Sequence, residues 1–185
     1  EIRLHELYAY PKVSNTMLDD ADYDIESLMI QDGSMGFAEG EGEAFITGNG
    51  VKKPRGIMSQ TFAYTGDNSR AWGEVQKIKT GVNGGFAAAG QADKLLDMAC
   101  GLRAIYQAKA VWGMNRFTLA EVMKLKDDTG NYIFLQGFNL QTGAFGTLLG
   151  HPVDASFDHM ADIATSSLSI IYGDLGAAYQ IADRR

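Results

Sequence analysis

The residues most able to do chemistry are Asp154, Asp158, His159 and Asp162, the densest group of metal-type ligands in the chain. Spacings of four, one and three could gather them on one side of a helix, where carboxylates and an imidazole would hold a divalent cation for metal-assisted hydrolysis. The pattern has no EF-hand glycine and no second histidine in helical register, since His151 precedes Pro152 in an apparent strand. A solvated acidic loop is the stronger reading. Asp32-Gly33-Ser34-Met35-Gly36 is one residue short of the G-x-S-x-G elbow and lies within a helical stretch, not at a strand-to-helix turn. Gly48-Asn49-Gly50-Val51-Lys52-Lys53 resembles a phosphate loop, but it follows a helix and no Ser or Thr follows Lys52; a helix-ending turn explains it. Cys100, in an apolar helical stretch, reads as a small core residue. Asp127-Asp128-Thr129-Gly130-Asn131 lacks the acidic spacing of a calcium loop and reads as a turn. The expectation is no catalytic, cofactor-binding or metal residue, and no cofactor.

Composition narrows the classes further. The 185 residues are 45% hydrophobic and 21% charged, which suits one ordinary or two small folded domains and excludes wholesale disorder. Sixteen basic against twenty-three acidic residues leave a formal charge of −7, the opposite of a nucleic-acid footprint. No apolar run approaches the roughly 18–20 residues that span a bilayer, and the start does not read as a signal peptide. A single cysteine excludes an internal disulfide framework and a CxxC metal site. The chain opens without methionine in the strand-like Glu1-Ile2-Arg3-Leu4-His5-Glu6-Leu7-Tyr8 and stops at Arg184-Arg185. It reads as a piece of a longer protein.

The elements that would position these residues follow from periodicity. Residues 1–13 alternate as a strand with Pro11 near its exit. Ser14 or Asn15 can cap a helix whose first turns carry Asp19, Asp20, Asp22 and Asp24, favourable at the positive end of the dipole. Leu18, Ala21, Ile25, Leu28, Met35, Ala38 and Phe45 then recur at helical steps, which predicts one long helix over 16–46, ended by Thr47-Gly48-Asn49-Gly50. Gly33, Gly36, Gly40 and Gly42 lie inside it, and interior glycines cost about 1 kcal/mol each against alanine. The helix is therefore bent or broken there, or pressed so closely on a sheet that only glycine fits. Residues 51–91 are rich in turn signals, with short strands near Met58–Tyr64 and Ile78–Thr80. Beyond Ala92 the pattern predicts a helix through Leu95, Met98, Ala99, Leu102, Ile105 and Tyr106, a buried strand Ala110–Met114 and a helix Thr118–Lys126. Strands are expected at Asn131–Phe134, Leu148–Val153, Ser169–Tyr172 and Ala178–Ala182. Helices and strands without regular alternation predict an α+β fold.

Four stretches in order resemble the major capsid proteins of tailed phages with the Hong Kong 97-type fold. They are Leu7-Tyr8-Ala9-Tyr10-Pro11-Lys12-Val13-Ser14 with Leu18-Asp19-Asp20-Ala21; Glu43-Ala44-Phe45-Ile46-Thr47-Gly48-Asn49-Gly50 with Pro54-Arg55-Gly56-Ile57; Ala110-Val111-Trp112-Gly113-Met114-Asn115 with Leu125-Lys126-Asp127 and Gly130-Asn131-Tyr132; and Leu149-Gly150-His151-Pro152-Val153 with Tyr172-Gly173-Asp174 and Tyr179-Gln180-Ile181-Ala182-Asp183-Arg184. The wording is similar to prophage capsids and phage-derived gene transfer agents. The resemblance implies a long spine helix with a peripheral-domain sheet in residues 1–60, a loop-rich linker over 61–90, and a mixed α/β axial domain with a return toward the peripheral domain over 91–185. The family's amino-terminal arm and extended loop would precede residue 1, and its last peripheral strands would follow Arg185. The glycines at 33, 36, 40 and 42 stand where relatives carry better helix formers.

The function so implied is a structural subunit, not an enzyme. It would self-assemble into pentamers and hexamers of an icosahedral shell around double-stranded DNA, meet a portal and a scaffold or protease during assembly, and bind neither specific nucleic-acid sequences nor membranes. It would reside in the virion capsid, and in host cytoplasm before assembly. Capsomer-facing loops are expected at Asp127–Asn131 and Gln136–Gly146, since glycine- and glutamine-rich loops let symmetric tips meet. Two other readings stand beside it: a metal-assisted hydrolase around Asp154, Asp158, His159 and Asp162, and an adaptor module that forms no shell.

Overall fold

The computed structural model describes residues 6–14, 16, 24–88, 90–127, 129–134 and 146–182. The chain divides into two compact units, Glu1–Ser59 with Ala182–Arg185, and Gln60–Ile181.

The first unit is built on helix α1, Ile25–Thr47. Asp24 caps it: its carboxylate accepts from the Ser27 backbone N–H at 3.2 Å and from the Ser27 hydroxyl, and these bonds hold the carboxyl below the usual aspartate range. Asp24 itself takes an extended conformation. Thr16, just after the expected cap at Ser14 or Asn15, is helical; Asn15 and residues 17–23, with Leu18 and Ala21, lie outside the described residues. No strand occurs over 6–14, and residues 1–5 of the expected first strand are likewise outside the description. α1 runs unbroken through all four glycines, so the expected break is absent. The close-packing alternative fails too at Gly33 and Gly36, where a Cβ would meet nothing within 4 Å. The expected apolar stripe is not set apart on one face: Leu28 and Met35 on it are 48% and 58% exposed, and Ile30 and Phe37 carry apolar surface on another side of the helix. At the C-terminal end Gly48 donates to Ala44 O at 3.0 Å and Gly56 donates to Gly48 O at 2.8 Å, bringing backbones so close that neither glycine has room for a side chain. A 3-10 turn, Ile57–Ser59, closes the unit.

The second unit begins with a parallel pair, β1 (Thr61–Ala63) and β2 (Glu74–Gln76), in register Thr61↔Glu74 to Ala63↔Gln76. The second strand falls at 74–76 and not at the expected 78–80. Asp93–Gly101 forms α2, and the predicted continuation breaks at Leu102-Arg103 before the short α3, Ala104–Gln107. Strand β3 is Val111–Met114, followed by α4, Arg116–Met123. The predicted strand at 131–134 reduces to a single bridge, Lys126↔Tyr132. The stretch read as one strand at 148–153 is a hairpin of β4 (Thr147–Leu148) and β5 (His151–Asp154). Leu149 and Gly150 turn it, at φ 52° and 82°, the left-handed pair that a two-residue hairpin demands. Strand β6 is Ile170–Gly173; helix α5, Leu175–Ala178, follows it, capped by Asp174 accepting from Ala177 N–H at 3.1 Å, and no strand forms over 179–182.

The larger sheet has order β4-β5-β3-β6, with β3 parallel to β5 and antiparallel to β6. Trp112 and Met114, two apart on β3, point to one face and are fully buried among Leu95, Leu119, Val122, Leu125, Leu148 and Ala155. This mixed α+β core matches the fold class expected from the sequence.

Candidate functional site

Loop 154–162, between β5 and β6, does not bring its acidic residues together. The Asp154 carboxylate turns back on its own loop and accepts from the Ser156 backbone N–H at 2.9 Å and hydroxyl at 2.6 Å. Asp162 accepts from Asn115 Nδ2 at 2.6 Å, while Asp158 and His159 sit in a turn closed by Met160 N–H donating to Phe157 O at 3.0 Å. Among the described residues no three His, Cys, Asp or Glu side chains are placed to hold a metal ion.

Asn115 organises this region. It is buried, its Oδ1 accepts from Thr118 N–H at 2.7 Å as the N-cap of α4, and its Nδ2 donates both to Met160 O at 3.0 Å and to Asp162. Ser169 extends the network, donating to Asp162 O at 2.8 Å and meeting Ser167 Oγ at 2.7 Å. A buried polar group with every bond satisfied fixes geometry. An open cleft of about 510 Å³ lies alongside, lined by Gly85, Phe86, Phe117, Thr118, Glu121 and Lys124 among others. Its charged groups are already engaged: Lys124 bridges Glu121 at 2.7 Å and Asp162 is held by Asn115. No nucleophile and base converge in it. Ser34, in the sequence that approached a nucleophile elbow, donates its hydroxyl to Ile30 O at 2.7 Å inside α1. Cys100, expected in the core, is exposed, because it falls off the α2 face that Leu95 and Met98 present to the sheet.

What the second unit does present is ordered surface. The turn 127–131 is tied by one carboxylate: Asp127 accepts from Thr129 Oγ1 at 2.7 Å, Asn131 N–H at 2.8 Å and Thr129 N–H at 2.9 Å, which holds its carboxyl below the usual range. Of the other expected tip loop, 136–146, residues 136–145 lie outside the described residues. The β1–β2 loop is held in the same manner. Asp67 bridges Arg70 and, at 2.6 Å, Arg103, while Arg70 also donates to Gln76 Oε1 at 3.2 Å. This clamp presents Trp72 wholly to solvent. Sequence reasoning missed both Asn115 and Trp72. An Asn directly before a helical run signalled the first, and a lone tryptophan inside a turn-rich stretch signalled the second.

The chain matches the phage capsid family along residues 1–185. Among solved structures it is similar to the capsid of an empty GTA (gene transfer agent) particle computed with C5 symmetry, at 37% identity and a TM-score of 0.83, covering 92% of this chain and 56% of that one. The capsid of a native GTA particle, also computed with C5 symmetry, gives 37% identity and a TM-score of 0.82 over the same shares. The chain thus spans 56% of the length of those capsid chains. No curated protein matches it.

Proposed function

From its membership of the phage capsid family, to which the chain belongs along its whole length, and from its Hong Kong 97-type α+β fold, we propose that it is the core of a major capsid protein. Its copies form pentamers and hexamers of an icosahedral shell that encloses double-stranded DNA. The observation that carries this reading is 37% identity to a GTA capsid at a TM-score of 0.83 over 92% of the chain. α1 serves as the spine of a peripheral portion within residues 1–60, residues 61–90 as the linker, and residues from 91 as the axial portion, whose Asp127–Asn131 and Gln136–Gly146 loops gather at the capsomer centre. Portal and scaffold or protease are its partners during assembly, and the virion capsid is its destination.

The chemistry supports a structural role. The buried polar network around Asn115 ends on the Met160 carbonyl and the Asp162 carboxylate and serves to hold a loop against α4. A charge of −7 disfavours tight capture of enclosed DNA. Electron microscopy of the purified protein tests the reading: closed particles with five-fold vertices support it, and a protein that stays monomeric at high concentration overturns it.

A further inference from the structure

Resting on the shell reading, we infer that the Trp72 loop of one copy docks on a stripe of α1 in a second copy, with Lys77 and Lys79 set against the helix carboxylates. Trp72 is 102% exposed on a loop that the Asp67 clamp holds in place. A tryptophan presented by a pre-ordered loop is the residue type that dominates interfaces, because its area is large and little entropy is lost on docking. Beside it Val75 is 40% exposed, and Tyr64 is covered by two cations, Lys77 Nζ at 4.4 Å and Lys79 Nζ at 4.3 Å from the ring centroid. Along the chain, exposed Trp72 is followed by Glu74 in β2 and then by the two lysines stacked on Tyr64.

α1 complements this surface. It carries Glu26, Asp32, Glu39, Glu41 and Glu43 and no Lys or Arg. Glu26, Ile30, Gly33, Phe37 and Glu41 follow at steps of four, three, four and four, so they form one stripe with an apolar centre and a carboxylate at each end. Ile30 is 64% and Phe37 36% exposed, and the space beside Gly33 is open to 4 Å. The lengths agree. Gly33 to Glu41 is about 12 Å along a helix at 1.5 Å per residue. Trp72 to Lys77 is at most about 16 Å along an extended chain. Lys79 is at most about 23 Å away on the same measure, so Trp72 over Gly33 leaves Glu41 within the span that Lys77 can reach. The two surfaces differ, so the contact is head-to-tail, the kind that closes into rings. Opposite local charge steers it in a chain whose net charge of −7 opposes indiscriminate association.

The test is a crosslink that can form only between copies. In a Cys100→Ser background, Trp72→Cys and Ile30→Cys proteins are assembled separately and as a mixture, then oxidised. The expected result is a disulfide dimer in the mixture at least tenfold above either protein alone. Equal dimer from Trp72→Cys alone overturns the contact, since Trp72 then meets its own kind; so does particle formation with no dimer in the mixture, which leaves the shell reading intact and places another surface against α1. If the unmodified protein forms no particles, the shell reading fails by itself, and the dimer in the mixture still decides the contact. A second measurement does not depend on the cysteine variants folding. Lys77→Glu with Lys79→Glu should reduce association about tenfold, and mixing with Glu26→Lys/Glu41→Lys protein should restore it. Unchanged association, or no restoration, overturns the proposal.

Discussion

Gly33→Ala with Gly36→Ala should stabilise the unassembled subunit. Both glycines lie inside a 23-residue helix, and a Cβ at either would meet nothing within 4 Å. Neither has a positive φ, so the glycines cost the helix only their propensity, roughly 0.8–1 kcal/mol each. Replacing both should add about 1.5–2 kcal/mol. For a chain of 185 residues that raises the melting midpoint by roughly 3–8 °C. Thermal and urea unfolding followed by far-UV circular dichroism would read this, at a concentration below the onset of association, because assembly itself raises apparent stability. An unchanged or lower midpoint would refute the reasoning, since it would mean that something occupies the space beside the glycines. The single variants separate two roles. Gly36 sits about 60° around the helix from Gly33, off the proposed docking stripe. Both substitutions should stabilise, but only Gly33→Ala should weaken the crosslink between copies.

Three further outcomes follow from the second unit. Gly113→Ala would place a Cβ 2.7 Å from Ile171 Cγ2 and 3.1 Å from Phe157 Cε2, so overpacking should cost about 1–3 kcal/mol; an unshifted urea midpoint would contradict it. Asn115→Ala removes the α4 cap and the bonds to Met160 O and Asp162, a loss of about 2–3 kcal/mol. Asn115→Asp keeps the cap but loses the donor to Met160 O and sets a carboxyl against Asp162, so it should also be destabilised relative to the parent. Asp67 is held below its ordinary value near 3.8, chiefly by its hydrogen bond from Arg70 and further by Arg103. With the folded pKa depressed, the clamp is complete above that ordinary value and is lost as pH falls through the folded one. Amide protection of Ser69 and Arg70, both bonded to Gly66 O at 3.1 Å, should therefore fall below about pH 4 and be lost at every pH in Asp67→Asn; unaltered protection in that variant would disprove the clamp.

The fold is legible where a local pattern carries the cause. Val111–Met114 is a short apolar run that can lie nowhere but inside a sheet, and β5 and β6 sit beside it as their β-rich stretches predict. Errors arise where the cause is not local. The partner of β1 begins at Glu74 because parallel pairing is set by register across the Asp67-clamped loop, and no feature of Ile78–Thr80 reveals that. The residues chosen for the α1 stripe recur at helical steps, but Ile30 and Phe37 fall on another side, and Leu28 and Met35 remain exposed. At α5 the sequence carries a signal the strand expectation overlooked: Asp174 before Leu-Gly-Ala-Ala is an N-cap. The acidic cluster shows the limit for sites. Spacing could place Asp154 and Asp162 together, but Ser156 and Asn115 turn the two carboxylates to different partners.

A shell subunit must remain soluble as a free chain and still bind its copies by surfaces that do not match themselves. Self-complementary apolar patches would form closed pairs and stop. The chain separates its two requirements in space. Its carboxylates concentrate on α1, around apolar side chains that would otherwise be a sticky face, and its exposed tryptophan stands beside lysines stacked on Tyr64. On the proposed contact, each surface would repel its own kind and attract the other. The Asp67 clamp ties its loop to Arg103, and the Asn115 network ties α4 to the loop before β6. In a ring that closes only at one rotation per subunit, that rotation is the functional quantity, and buried hydrogen bonds are how a fold specifies it.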